Sequence, residues 1–197
     1  MKRLALEFIT IPIVFLLLWF SLSRIPFVEY FKIREKVEVN EKKLGKLLIE
    51  VFVKSEKEIE NNEIVDPVTK IKNRICDYNH ICSDSITVRI FSKDEVNAFA
   101  LPNRTIIIYS ELIKKCKNPE ELGCVIAHEI AHIEKSHVMK KFVKEMGISI
   151  LSSIGGNKSS EILKELLKKT TSTAYDRKLE DEADRVAISY LINAKIN

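Results

Sequence analysis

The stretch His128-Glu129-Ile130-Ala131-His132 decides how this chain folds. Two histidines four residues apart are rotated by only about 40° on an α-helix, so both imidazoles point the same way about one turn apart. That geometry suits one Zn²⁺ ion held by two ring nitrogens. Glu129, between them, is placed to act as the general base that takes a proton from water. The pentad therefore predicts a metal centre on a helix.

The residues around the pentad indicate that this helix is buried. We expect the helix to run from Pro119 to about Met146, and its sequence from Leu122 to Ile133 is apolar nearly all round. The alternative is a surface helix that carries two histidines and an acid by chance. Burial argues against that alternative, because buried His and Glu side chains need partners and a metal ion is such a partner.

A second helix, expected from Lys178 to about Ala194, offers a third ligand. A catalytic zinc site has three protein ligands and one open position. Glu180 and Asp184 lie one turn apart, and we interpret Glu180 as the ligand and Asp184 as the hydrogen-bond partner of a ligating histidine. Glu182 is the rival for the ligand role. The competing interpretation of this acidic cluster is a solvated first turn that the helix dipole favours.

His137 follows the pentad at a spacing that argues against metal binding. On a continuous helix, nine residues from His128 place His137 about 180° round the axis. The sequence therefore predicts a surface or second-layer position for His137.

Three segments of the chain, taken in order, resemble the gluzincin metallopeptidases of the HtpX, BepA and CAAX prenyl protease type. They are Asn97-Ala-Phe-Ala-Leu-Pro102, the pentad, and Glu180-Asp-Glu-Ala-Asp184, within about residues 86–191. The resemblance implies a zinc metalloendopeptidase with one Zn²⁺ per chain, Glu129 as catalytic base, and His128, His132 and Glu180 as the metal ligands. The aspartate of the family's Glu-x-x-Ala-Asp motif falls on Asp184.

The same resemblance extends to residues beside the third ligand. Arg177 matches a common arginine just before the second acidic motif, and we take Arg177 and Tyr175 as candidates for oxyanion or substrate contacts. The chain departs from the family at Asn103-Arg104, where members often have glycines.

Composition narrows the class of protein. The chain has 197 residues, and its 32 basic and 28 acidic residues are interleaved, so the net charge is only +4. That is a mixed surface and not the basic patch of a nucleic-acid-binding protein. The four cysteines show no Cys-x-x-Cys spacing, so a cysteine-based zinc site is not predicted.

The N-terminal residues Leu4–Leu22 form a run that is apolar except for Glu7 and is just long enough to span a bilayer. Lys2 and Arg3 precede the run, which favours a cytoplasmic N-terminus and a catalytic domain outside the cytoplasm. The alternative is a signal peptide cleaved after Ser23, which would release the domain as a secreted protein. We therefore divide the chain into an anchor or signal peptide (1–23), a connector (24–40) and a zinc metallopeptidase domain (41–197).

Hydrophobic periodicity predicts an α+β fold, mostly helical and zincin-like, with a small β-sheet or hairpin. The expected helices before the pentad are 41–61, 66–78 with Asp66-Pro67 at its start, and 111–116; the expected strands are 85–91 and 105–109. We expect Thr105–Tyr109 to be an open edge that binds extended peptide by strand addition.

These features favour an endopeptidase that cleaves unfolded or misassembled envelope proteins, a substrate class that the resemblance implies. The alternative is a chaperone or adaptor, stabilised by the metal, that holds extended peptides at an edge strand with little or no cleavage. The chain ends at Asn197, soon after the second acidic motif, and this favours the alternative. Glu129 argues against it, because a purely structural metal site needs no base and is usually closed by four protein ligands.

Overall fold

The computed structural model describes residues 27–146, 163–165, 167–168 and 175–196. It divides the chain into two units, Met1–Val39 and Asn40–Asn197, and the second unit contains all of the described strands. The elements in chain order are α1 (Phe27–Ser55), β1 (Lys57–Glu58), α2 (Asn62–Tyr78), a 3₁₀ turn (Ser83–Ser85), β2 (Thr87–Ser92), β3 (Ala98–Leu101), β4 (Thr105–Tyr109), α3 (Ser110–Lys115), α4 (Pro119–Glu134), α5 (His137–Met146) and α6 (Arg177–Asn193). The α+β class is confirmed as mostly helical with a four-stranded sheet.

Two helices have boundaries that differ from the predicted ones. Helix α1 already covers most of the expected connector and ends at Ser55. Helix α2 starts at Asn62 and not at Pro67, because the Asn61 side chain caps it by accepting the Glu63 N–H at 3.0 Å. Within the described ranges, no helix combines the length and apolar content needed to cross a bilayer. The apolar run Leu4–Leu22 lies outside those ranges.

The sheet has the strand order β1-β2-β4-β3. Strands β2 and β4 are parallel, with Thr87 opposite Thr105, while β1 and β3 pair antiparallel at the two edges. All five residues of β4 are buried, so the expectation that Thr105–Tyr109 is an open edge is wrong. A continuous isoleucine run suits a central strand that is covered on both faces. Among the described residues, the two edge strands are β1 and β3, Ala98–Leu101.

Helix α1 covers the sheet through an aromatic cluster. Phe52 meets Phe91 edge-on at 4.6 Å between ring centroids, and Phe99 meets Tyr109 in the same manner at 5.7 Å. Leu44 and Leu48 extend this contact and are fully buried. Pairs of this geometry add about 0.5–1.5 kcal/mol beyond the apolar area that they bury.

The turn between β3 and β4 has two residues in left-handed backbone conformation, at the positions where the gluzincins that this chain resembles often have glycines. Asn103 has φ 64° and Arg104 has φ 55°, in the region that favours glycine. Arg104 is held there by an ion pair with Glu134 at the end of α4 and a 3.1 Å hydrogen bond to Ser85. The turn is therefore fixed to the helix that carries the pentad.

Gly45 allows α1 to approach this turn closely, and we expect Gly45→Ala to destabilise the protein by about 1–3 kcal/mol. A Cβ at residue 45 would lie 2.8 Å from the Pro102 carbonyl carbon and would also meet the Pro102 oxygen and Asn103 Cβ. The matched control is Gly123→Ala on α4, whose Cβ would first meet the Ile196 side chain at 3.4 Å. Chemical denaturation measures both variants. A loss of stability confined to Gly123→Ala would contradict the packing argument.

Candidate metal centre

Helix α4 begins where the sequence predicts and ends earlier. Asn118 caps it by accepting the Glu121 N–H at 2.8 Å, and Pro119 opens the first turn. The predicted continuation to Met146 is wrong, because the helix stops at Glu134 and Ser136 turns with φ 56° before α5 begins. The polar triplet Glu134-Lys135-Ser136 is the signal in the sequence that marks this break.

Helix α6 lies against α4 and brings the second acidic motif to the pentad. Asp176 caps α6 by accepting the Lys178 N–H, and small buried residues, Ala183 on α6 and Ala131 on α4, allow a close approach of the two helices. The far end of α6 is tied to α2, where Arg74 donates 2.9 Å hydrogen bonds to the Ala194 and Lys195 carbonyls. The position of Glu180 is therefore set by packing along the whole helix.

The structure brings His128, His132 and Glu180 together. Each of the three residues offers one atom that can bind a metal, and these three atoms all lie within 4.8 Å of one another. The two Nε2 atoms are 2.9 Å apart, and Glu180 Oε2 lies 3.4 Å from the Nε2 of His128 and 3.9 Å from that of His132. Two donors bound about 2.1 Å from one ion in tetrahedral geometry are about 3.4 Å apart. These three residues could therefore hold one divalent ion.

The hydrogen bonds around the cluster leave acceptor atoms facing its centre. Asp184 Oδ1 lies 2.9 Å from Nδ1 of His128, and a carboxylate only accepts, so the His128 proton belongs on Nδ1 and its Nε2 faces the cluster bare. The Tyr175 backbone N–H donates to Glu180 Oε1 at 2.9 Å, which leaves Oε2 for the cluster. A set of converging acceptors fits a cation.

His132 is the buried member of the cluster. Burial, and then the neighbouring His128 ring, lower its pKa to about 3, so the imidazole is neutral and able to bind a metal. The Tyr175 ring stacks on the His132 ring at 3.9 Å with an interplanar angle of 16°. Burial raises the pKa of Tyr175, so its phenol keeps its proton at neutral pH. Arg177, the other candidate for substrate contacts, is exposed at the start of α6.

Glu129 lies beside the cluster and is almost entirely shielded from solvent. Its side chain is buried, and its carboxylate accepts a hydrogen bond from the backbone N–H of Ala100 in β3. Oε2 of Glu129 has no hydrogen-bond partner among the described residues. Burial raises the pKa of Glu129 to about 8 in the metal-free site, and positive charge nearby would favour the ionised form. An unpaired buried oxygen of this kind is suited to a reacting water.

Two further side chains near the cluster are Glu182 and His137, and the structure decides between the alternatives that the sequence left open for each. Glu182, the rival ligand, contacts Nε2 of His137 at 3.2 Å and does not join the cluster of three donors. His137 is fully buried, with Nδ1 3.1 Å from Nδ1 of His132. The surface alternative for His137 is wrong, because the break at Ser136 invalidates the count of nine helical residues. Burial lowers the pKa of His137.

Comparison with known proteins agrees with this geometry. The family model described as peptidase family M48 matches residues 68–197, which include every member of the cluster. The chain belongs to peptidase family M48. This family consists of zinc-dependent metallopeptidases, and the resemblance to gluzincins of the HtpX, BepA and CAAX prenyl protease type is confirmed.

Curated relatives of this M48 chain are metalloproteases. Metalloprotease LoiP of Escherichia coli (strain K12) is 28% identical over 131 residues, which cover 63% of this chain and 51% of LoiP. Mitochondrial metalloendopeptidase OMA1 of Arabidopsis thaliana is 27% identical over 59% of this chain and 24% of its own. CAAX prenyl protease 1 homolog of the same plant is 42% identical over 41 residues, 21% of this chain and 10% of the homolog. The chain thus spans about half of LoiP and a quarter of OMA1.

We expect Glu180→Ala to lose the zinc that the wild-type protein retains after dialysis, because two histidines alone are a weak site. Asp181→Ala is the matched control, since it removes the neighbouring exposed carboxylate from the same turn. Atomic spectroscopy gives the zinc content per chain. Full zinc content in Glu180→Ala together with loss of zinc in Glu182→Ala would show that the rival carboxylate is the ligand.

Proposed function

We propose that this M48 metallopeptidase is a zinc-dependent endopeptidase in which His128, His132 and Glu180 hold the ion and Glu129 is the catalytic base. The observation that carries the proposal is the convergence of one ligating atom from each of these three residues beside a buried carboxylate with an unpaired oxygen. Zinc supplies a Lewis acid that polarises a carbonyl and lowers the pKa of water. Asp184 orients His128, and the Tyr175 backbone orients Glu180.

Glu129 accepts and then donates the transferred proton in this proposal. The unpaired Oε2 accepts a proton from water as the water attacks the peptide carbonyl, and the same oxygen then donates it to the leaving amine. The other carboxylate oxygen is held by Ala100 N–H, so the side chain keeps its orientation through both transfers. The phenol of Tyr175 is a candidate donor to the oxyanion, since it stays protonated beside His132.

Strand β3 offers the peptide-binding edge. Tyr109 N–H donates to the Asn97 carbonyl, so Phe99 and Leu101, two and four residues on, also point their backbone groups at β4. The N–H and C=O groups of Ala98 and Ala100 therefore point away from the sheet. An extended peptide laid along them would pass Glu129, because Ala100 N–H reaches that carboxylate.

We further propose that the substrates are unfolded or misassembled proteins of the cell envelope, with the catalytic domain outside the cytoplasm. Binding through backbone groups depends little on the side chains of the substrate and requires an extended substrate chain, which supports an unfolded substrate. The apolar run Leu4–Leu22 behind Lys2 and Arg3 supports an anchor or an export signal. A chaperone without turnover is disfavoured, because three protein donors leave a position open and Glu129 is placed to use it.

Glu129→Gln tests the base. We expect peptide cleavage to fall about 10²- to 10⁴-fold, because the amide cannot accept the proton, while zinc content stays at one per chain. Glu120→Gln, which neutralises an exposed glutamate in the first turn of the same helix, is the control and should cleave casein at the wild-type rate. Wild-type cleavage by Glu129→Gln would remove the assigned base.

Ala98→Pro tests the binding edge. Proline removes an N–H that points away from the sheet and leaves the β3–β4 ladder intact, so we expect KM for an unfolded substrate to rise roughly 2- to 10-fold, as for one lost hydrogen bond. Ala98→Ser, which keeps the N–H, is the control. An unchanged KM in a folded Ala98→Pro protein would argue that substrate does not bind along β3.

A further inference from the structure

Helix α5 begins with a buried imidazole that the mechanism above does not use. His137 has no exposed surface, and its Nδ1 lies 3.1 Å from Nδ1 of His132. On the other side of the ring, Nε2 lies 3.2 Å from Oε2 of Glu182. One line of contacts therefore runs from His132 on α4, through His137 on α5, to Glu182 on α6.

The positions of the protons along this line follow from the chemistry of its last member. A carboxylate only accepts hydrogen bonds, so Glu182 places the proton of a neutral His137 ring on Nε2. The Nδ1 of His137 is then an acceptor, and the Nδ1 of His132 that faces it has to donate. The lone pair of His132 is thereby left on Nε2, the atom that faces His128 and Glu180.

We propose that His137 and Glu182 are positioning residues that hold His132 in the tautomer with its proton on Nδ1 and its Nε2 open to the metal. The inference rests on the proposed zinc site. It gives His132 the support that Asp184 gives His128, so each histidine ligand is oriented by a carboxylate, directly in one case and through a second imidazole in the other. Loss of such outer partners typically weakens metal binding 10- to 100-fold.

If residue 137 only filled space in the core, the chemistry of its side chain would matter less than its size. An apolar side chain of similar size would satisfy packing, whereas the tautomer requires an acceptor where Nδ1 lies. Leucine and asparagine separate the two, because they are similar in size and only the Oδ1 of asparagine can accept the His132 proton. Lys135, whose Nζ is 3.9 Å from Glu182 Oε1, offers a control for the surface charge of Glu182.

The first test measures the Kd for zinc by competition with a chelator, on the purified full-length protein. We expect His137→Leu to raise Kd about 10- to 100-fold and His137→Asn to stay within about threefold of wild type. His80→Asn, which removes an exposed histidine on a left-handed residue, should leave Kd unchanged. If His137→Leu binds zinc as tightly as His137→Asn, packing explains the residue and the proposal is overturned.

The second test reads the tautomer without metal. The chain has four histidines, so ¹⁵N-histidine labelling gives a spectrum in which each ring can be assigned. We expect the proton of His132 on Nδ1 in the metal-free wild type and in Lys135→Ala. In His137→Leu and Glu182→Gln, the tautomer with the proton on Nε2 should gain population. A metal-free wild type in which His132 carries its proton on Nε2 would overturn the proposal.

The two tests separate this inference from the proposed function. A wild type that binds no zinc removes the proposed zinc site, and the tautomer of His132 still decides the positioning role. A wild type that binds zinc and cleaves peptide, with the same Kd and tautomer in His137→Leu, removes the positioning role alone. If His137→Leu does not fold, Glu182→Gln replaces it, because that side chain is 42% exposed and tolerates substitution better. A rise in Kd is then expected for Glu182→Gln and not for Lys135→Ala.

Discussion

The close approach of helices α4 and α6 is the constraint on which the rest of the structure depends. The two helices pack against each other, and small residues on both, Ala127 and Ala131 on one and Ala183 and Ala187 on the other, are buried. They allow a carboxylate from α6 to reach two imidazoles on α4. The two Nε2 atoms and Glu180 Oε2 lie between 2.9 and 3.9 Å from one another, so packing of the core holds three metal-ligating atoms at distances that suit one ion. The site is therefore preorganised for a cation.

Much of the site could be predicted because local rules determine it. The i, i+4 spacing of His128 and His132 is a property of any helix, and the apolar residues around them determine burial. The pairing of Glu180 with this helix needed the resemblance, since no local rule brings together residues more than 40 positions apart. The structure brings Glu180 Oε2 within 3.4 Å of Nε2 of His128 and Asp184 Oδ1 within 2.9 Å of its Nδ1, and the roles of the two carboxylates belong to the proposal.

What could not be predicted depends on breaks and on strand neighbours. The helical count places His137 on the far side of a continuous helix, but one left-handed residue at Ser136 turns the chain and brings His137 against His132. Thr105–Tyr109 was recognised as a strand, yet its place in the sheet depends on β2 and β3 pairing on either side. Strand order is a long-range property, so the sequence alone could not show that β3, and not β4, lies at an edge of the sheet.

The shortness of strand β3 has a consequence for the folded protein itself. Open strand edges invite copies of a protein to join one another edge to edge, which is a route to aggregation. Here the edge spans Ala98–Leu101, and Pro102 ends it at once. Only two residues of this strand point their backbone groups outward, so a second folded copy would form too few strand-to-strand hydrogen bonds for stable self-association. The protein can thus have an edge strand in its sheet without becoming a template for its own polymerisation.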